Sequence, residues 1–114
     1  MHELAVCQGM LRQVMDITRQ QQARSVTRIL VQVGPLSGVE PRLLAQAFPI
    51  ASAGTPAAGA VLDLESLPVR VRCEQCGAES DASPNRLLCG ACGDYHTRLL
   101  SGDELLLVSV ELER

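Results

Sequence analysis

No lysine and no tryptophan occur among the 114 residues, and phenylalanine and tyrosine appear once each. The core must therefore be built from Leu, Val, Ala and Ile, and a hydrophobic content of 46% is enough for one. All positive charge rests on ten arginines that form no cluster, and the net charge is −3. A nucleic-acid binder needs a concentrated positive face or aromatic stacking platforms, so that class is excluded. No stretch approaches the ~20 apolar residues of a membrane span, so no membrane insertion is expected. No charged and apolar run stands ahead of the first patterned segment, so no secretory leader is expected either. The expected setting is cytoplasmic. There, five cysteines read as thiols or metal ligands rather than disulfides.

What is present is patterned. Residues 3–21 predict one amphipathic helix, with Leu4, Cys7, Met10, Leu11, Val14, Ile17 and Thr18 on one side at helical spacing. "VTRILVQV" at 26–33 is β-branched and alternating, a strand, and "GPLSG" ends it with turn residues. A second helix is expected from Pro41, since proline suits a first helical turn, with Leu44, Ala47, Phe48 and Ala51 as its buried stripe. Pro49 removes a backbone donor inside that helix and predicts a kink or an early stop. Residues 60–69 and 103–112 predict two further strands. The reading is an α+β fold: a three-stranded sheet with two helices, formed by 1–70 and 100–114. From it projects an insert, 71–99, of different composition.

That insert carries the strongest signal in the chain. Cys73 and Cys76 are two residues apart, as are Cys89 and Cys92, and twelve residues separate the pairs. A C-x-x-C turn lets two thiolates point at one ion, and the glycines that follow, Gly77 and Gly93, tolerate the tight backbone. Two such turns supply four sulfurs for one tetrahedral centre, a zinc-ribbon-like finger suited to Zn. Disulfides or a redox C-x-x-C are the competing readings, disfavoured by the doubling of the motif. A four-cysteine site has no open position and is structural. Cys7, on the apolar stripe of the first helix, reads as an inert buried thiol. His96 could approach the second cysteine pair but reads better as a solvent-facing histidine.

The chain opens "MHELAV". The first N–H groups of a helix have no intrahelical partner, so a metal could take an amide nitrogen of His2 or Glu3 without breaking a helix bond. The His2 imidazole lies in chelating reach, and the amine of Met1 is another candidate. A nitrogen-rich site of this kind suits Ni(II) or Cu(II) rather than Zn. On these residues alone, a surface histidine beside a helix-starting glutamate is the simpler reading.

Five stretches alter that balance: "MHELAVCQGML", "VGPLSGVEP", "GTPAAGAVLDLE", the paired cysteines and "SGDELLLVSVELE", in this order over nearly the whole chain. Together they resemble the HypA/HybF family of hydrogenase nickel-insertion accessory proteins. The resemblance implies a nickel site at the "MHE" start, with His2 as ligand and Glu3 contributing its amide or helping nearby. It also implies a structural zinc site on Cys73, Cys76, Cys89 and Cys92. Glu40 in "SGVEP" takes the place of a carboxylate implicated in nickel binding in some relatives; a helix-capping acid is the equal alternative. The implied function is a nickel metallochaperone, not an enzyme. It delivers Ni(II) to the large subunit of a [NiFe]-hydrogenase, with the GTPase HypB as partner, as a monomer or weak homodimer. A zinc-ribbon interaction module without nickel and a small thiol redox enzyme are the alternatives.

Overall fold

The structure is a computed structural model and describes residues 2–114. Its elements are α1 (His2–Gln20), β1 (Ser25–Val33), α2 (Pro41–Ser52), β2 (Val61–Ser66), β3 (Arg70–Cys73), β4 (Glu79–Asp81), β5 (Thr97–Ser101) and β6 (Leu105–Glu113). Two three-stranded sheets form, in the orders β2-β1-β6 and β4-β3-β5. The described residues divide into two compact units, one of 2–31, 39–65 and 106–114, the other of 32–38 and 66–105.

In the first unit, α1 buries Cys7, Leu11, Val14 and Thr18, the stripe its spacing predicts. Burial of Thr18 is tolerated because its hydroxyl donates to the Val14 carbonyl at 2.7 Å. The helix stops by backbone bonding rather than by glycine. Ala23 N–H donates to Thr18 O at 3.0 Å and Gln22 N–H to Arg19 O at 3.1 Å, the Schellman arrangement, with Gln22 left-handed at φ 54°. Against α1 lies α2, whose Leu44 is fully buried and whose Leu44 carbonyl accepts from the Cys7 thiol at 3.6 Å. Central β1 completes this core with Val26, Ile29 and Val31.

Two expectations need correction. α2 does not stop at Pro49 but runs on to Ser52. Phe48 and Ser52 are buried and hold the last turn by packing. Ala45 and Pro49 are exposed, so the carbonyl deprived of its donor lies on the solvent side, where water can satisfy it. The strand expected over 60–69 is β2, which ends at Ser66, and a further strand, β3, begins at Arg70 beyond the expected bounds. β3 is the centre of a separate sheet that the sequence pattern did not predict.

In the second unit, β3 pairs antiparallel with β4 (Arg70 opposite Asp81, Val71 opposite Ser80, Arg72 opposite Glu79). It also pairs antiparallel with β5, where Arg72 faces Arg98 and Cys73 faces Thr97. Two glycines meet in the same unit. A Cβ on Gly34 would stand 2.1 Å from the carbonyl oxygen of Gly102. Gly102 itself sits at φ 120° with Val69 3.0 Å from where its own Cβ would be.

Candidate metal centres

The two cysteine turns are near copies. In the first, the N–H groups of Gln75 and Cys76 donate to Cys73 Sγ at 3.3 Å each, and Gly77 N–H donates to Cys73 O at 3.0 Å. In the second, Ala91 and Cys92 donate to Cys89 Sγ at 3.3 and 3.4 Å, and Gly93 N–H donates to Cys89 O at 2.9 Å. Gly77 and Gly93 adopt φ 77° and 78°, a conformation an L side chain resists. The turns bring Cys73 Sγ to 3.6 Å from Cys92 Sγ, and Cys76 Sγ to 3.6 Å from Cys89 Sγ. All four sulfurs lie within 4.8 Å of one another. Four ligands about 2.3 Å from a tetrahedral ion stand roughly 3.8 Å apart, so the donor set fits zinc in both size and softness.

Electrostatics matches a site that holds thiolate. Backbone donation, from Cys76 first and then Gln75, lowers the Cys73 thiol. Donation from Cys92 and Ala91 brings Cys89 down to about 6. At Cys92 the Asp94 amide pulls downward, but the neighbouring sulfurs of Cys73, Cys76 and Cys89 together with burial outweigh it and push the thiol up to about 12. Four sulfurs crowded together resist full ionisation until a cation joins them.

Groups the sequence reading missed hold the turns in place. Ser80 Oγ accepts from Gly90 N–H at 2.9 Å. Thr97 Oγ1 donates to Leu87 O at 2.8 Å, and Glu74 N–H donates to His96 O at 2.8 Å. No local motif marks them. His96 is exposed, as expected. Its Nδ1 lies 2.7 Å from Asp94 Oδ1, and its ring rests against Tyr95 at 4.1 Å. Cys7 is fully buried, and burial pushes its thiol up, away from reactivity.

The N-terminal residues are arranged differently. His2 begins α1 and is exposed, while Glu3 is half-buried. Glu3 Oε2 accepts the N–H of Glu40 at 3.3 Å. Glu40 is the N-cap of α2, and its Oε1 accepts Arg42 N–H at 3.3 Å. Two helix N-termini thus share a pair of carboxylates, each favourable beside the positive end of a helix dipole. Among the described residues, only the four cysteines form a group of three or more converging metal-ligating side chains; His2, Glu3 and Glu40 do not. The amine of Met1 lies outside the described residues.

The comparisons with known proteins agree across the chain. A family described as "Hydrogenase/urease nickel incorporation, metallochaperone, hypA" matches residues 1–112. The hydrogenase maturation factor HypA of Nitrosospira multiformis is 46% identical over 112 residues, covering 98% of this chain and 97% of that one. Its Aquifex aeolicus counterpart is 41% identical over 113 residues, covering 99% and 98%. The solution structure of the Ni metallochaperone HypA from Helicobacter pylori superposes with a TM-score of 0.69 at 21% identity, covering 97% of each chain. A second solution structure of a HypA protein gives 0.72 at 23%, covering 98% of this chain and 96% of the other. With two helices, two small sheets, a four-cysteine cluster and full-length similarity to these maturation factors, the chain belongs to the HypA family of hydrogenase nickel-incorporation proteins.

Proposed function

We propose that this chain carries Ni(II) as cargo on the first turn of α1 and hands it to the large subunit of a [NiFe]-hydrogenase in the cytoplasm, with the GTPase HypB as partner. The zinc of the Cys73, Cys76, Cys89 and Cys92 centre is a resident structural ion and takes no part in the transfer. The metal-dependent part is the 71–99 insert, and the nickel-binding base is 1–70 and 100–114.

One observation supports this reading above the others: the junction at which Glu3 accepts the N–H of Glu40. Each group has a stated job there. The His2 imidazole supplies a nitrogen from an exposed position, so the ion can both arrive and leave. The amides of the first turn are spare donors, because no carbonyl precedes them in the helix. A cation at a helix N-terminus is disfavoured, and the carboxylates of Glu3 and Glu40 offset that repulsion. The sulfur centre would trap a soft ion in a closed shell. The nitrogen and oxygen groups at α1 offer an open one, which suits an ion that has to be released.

The test is nickel binding by the full chain, with zinc content measured beside it. His2→Ala should abolish nickel binding and leave zinc content and helix content unchanged. Unchanged nickel affinity in His2→Ala would eliminate the N-terminal site. The chain would then be a zinc-ribbon interaction module.

A further inference from the structure

The β4-β3-β5 sheet has a face that the cysteine centre does not use. Val71 and Cys73 of β3 are buried, and Arg70 and Arg72 alternate onto the other side. Register places Arg70 opposite Asp81, and Arg72 opposite Glu79 on one flank and Arg98 on the other. The first pairing is closed: Arg70 Nη1 lies 2.7 Å from Asp81 Oδ1. The second is open. Among the described residues, the guanidiniums of Arg72 and Arg98 have neither an ion pair nor a hydrogen bond. Like charges directly opposite on an antiparallel pair repel. Arg70 is neutralised by the acid opposite it, whereas Arg72, with Glu79 in the equivalent place, is not. Arg72 and Arg98 also line one cavity of about 390 Å³ with Cys73, Glu74 and Gly77.

We infer that the Arg72–Arg98 pair is a docking point for an acidic peptide segment of a protein partner, one of whose carboxylates seats between the two guanidiniums. Each guanidinium offers a planar fork of donors that matches a carboxylate, and one bound carboxylate converts the repulsion between the arginines into two attractions. Glu74 in the cavity wall and Glu79 beside Arg72 limit how much negative charge the site accepts. A net charge of −3 disfavours any extended polyanion. The occupant is therefore a short stretch with few negative charges rather than a nucleic acid. This inference does not rest on the nickel reading, because it uses neither His2 nor α1.

The experiment is an NMR titration of the full-length, zinc-loaded chain with an acetylated and amidated hexapeptide of alternating glycine and glutamate. The glutamine counterpart and inorganic phosphate serve as parallel ligands. Shifts should be centred on the Arg72 and Arg98 side-chain N–H groups. Binding should weaken by about tenfold in Arg72→Gln and again in Arg98→Gln, the worth of a charge-assisted hydrogen bond. Added salt should weaken it in the unmodified chain. An unchanged Cys89 amide signal, bonded to Asp94 O, and full zinc content in the variants would confirm that they remain folded. Three results would each overturn the proposal: no shift at millimolar peptide, equal binding of the glutamine peptide, or phosphate binding tightly enough to displace the peptide at equal concentration.

Discussion

Chelating the metal from the four-cysteine centre should unfold the second unit and leave the first intact. The buried apolar side chains of the second unit are Val33, Val69 and Val71, together with the cluster's own Cys73 and Cys89. Each buried valine contributes ~1.5–3 kcal/mol at most. A structural zinc contributes about 10–16 kcal/mol. The ion is therefore the larger share of what holds this unit together. The first unit does not depend on it, since Leu11, Val14, Ile29, Val31, Leu44 and Phe48 are all buried there. Hydrogen exchange resolved by residue is the assay. Useful reporters are the amides of Cys73, Glu74 and Cys89, which donate to Ala78, His96 and Asp94 at 2.8, 2.8 and 2.9 Å. These should lose protection on chelation and in Cys89→Ser. The amides of Val26 and Leu44, bonded to Pro56 and Glu40 at 3.0 and 2.9 Å, should keep theirs. Persistent protection at Cys73 and Cys89 after complete metal removal would refute the reasoning, and so would simultaneous loss at Leu44.

Three further outcomes are expected. Glu40→Ala removes a cap whose bond is long, at 3.3 Å, so thermal unfolding should show a loss near ~0.5 kcal/mol, the low end for caps; nickel affinity that stays unchanged would remove Glu40 from the metal site. Leu44→Ala, at a position 0% exposed, should cost about 2–5 kcal/mol in chemical denaturation with zinc content preserved. Glu104 is held below the ordinary 4.5 by the N–H of Gly102 first, then by its own and that of Asp103. A lowered folded value stabilises above the ordinary range and is lost as pH falls through the folded value, so the stability gap between the unmodified chain and Glu104→Gln should be present at neutral pH and vanish on acidification.

Much of this was legible in the chain, for identifiable reasons. The 3.6-residue recurrence of Cys7, Leu11, Val14 and Thr18 announces α1, because one helix face must be apolar to pack. The doubled C-x-x-C spacing announces the sulfur cluster, because two residues between cysteines set the bite of a metal turn. The end of α1 was harder to place, since Gln22 takes the left-handed position where glycine would have given the signal. β4 and β5 span three and five residues, too short for an alternation to stand out, and β4 is pinned by Ser80 rather than by an apolar face. Pro49 misled because proline's cost depends on which side of the helix it falls, a tertiary matter. The bond between Glu3 and Glu40 joins residues 37 apart in sequence. No local pattern encodes it; only the resemblance to a family drew attention to Glu40.

The contact between Gly34 and Gly102 bears on how a mutational scan of this chain would read. No atom of either residue is placed to touch a metal, yet any side chain at Gly34 would collide with the Gly102 carbonyl at 2.1 Å. Both positions should therefore score as intolerant alongside the four cysteines, for an unrelated cause. The two causes separate by phenotype. Loss at a cysteine should leave protein that is present but poor in zinc. Loss at either glycine should deplete the protein itself, with the molecules that survive still carrying their full share of metal.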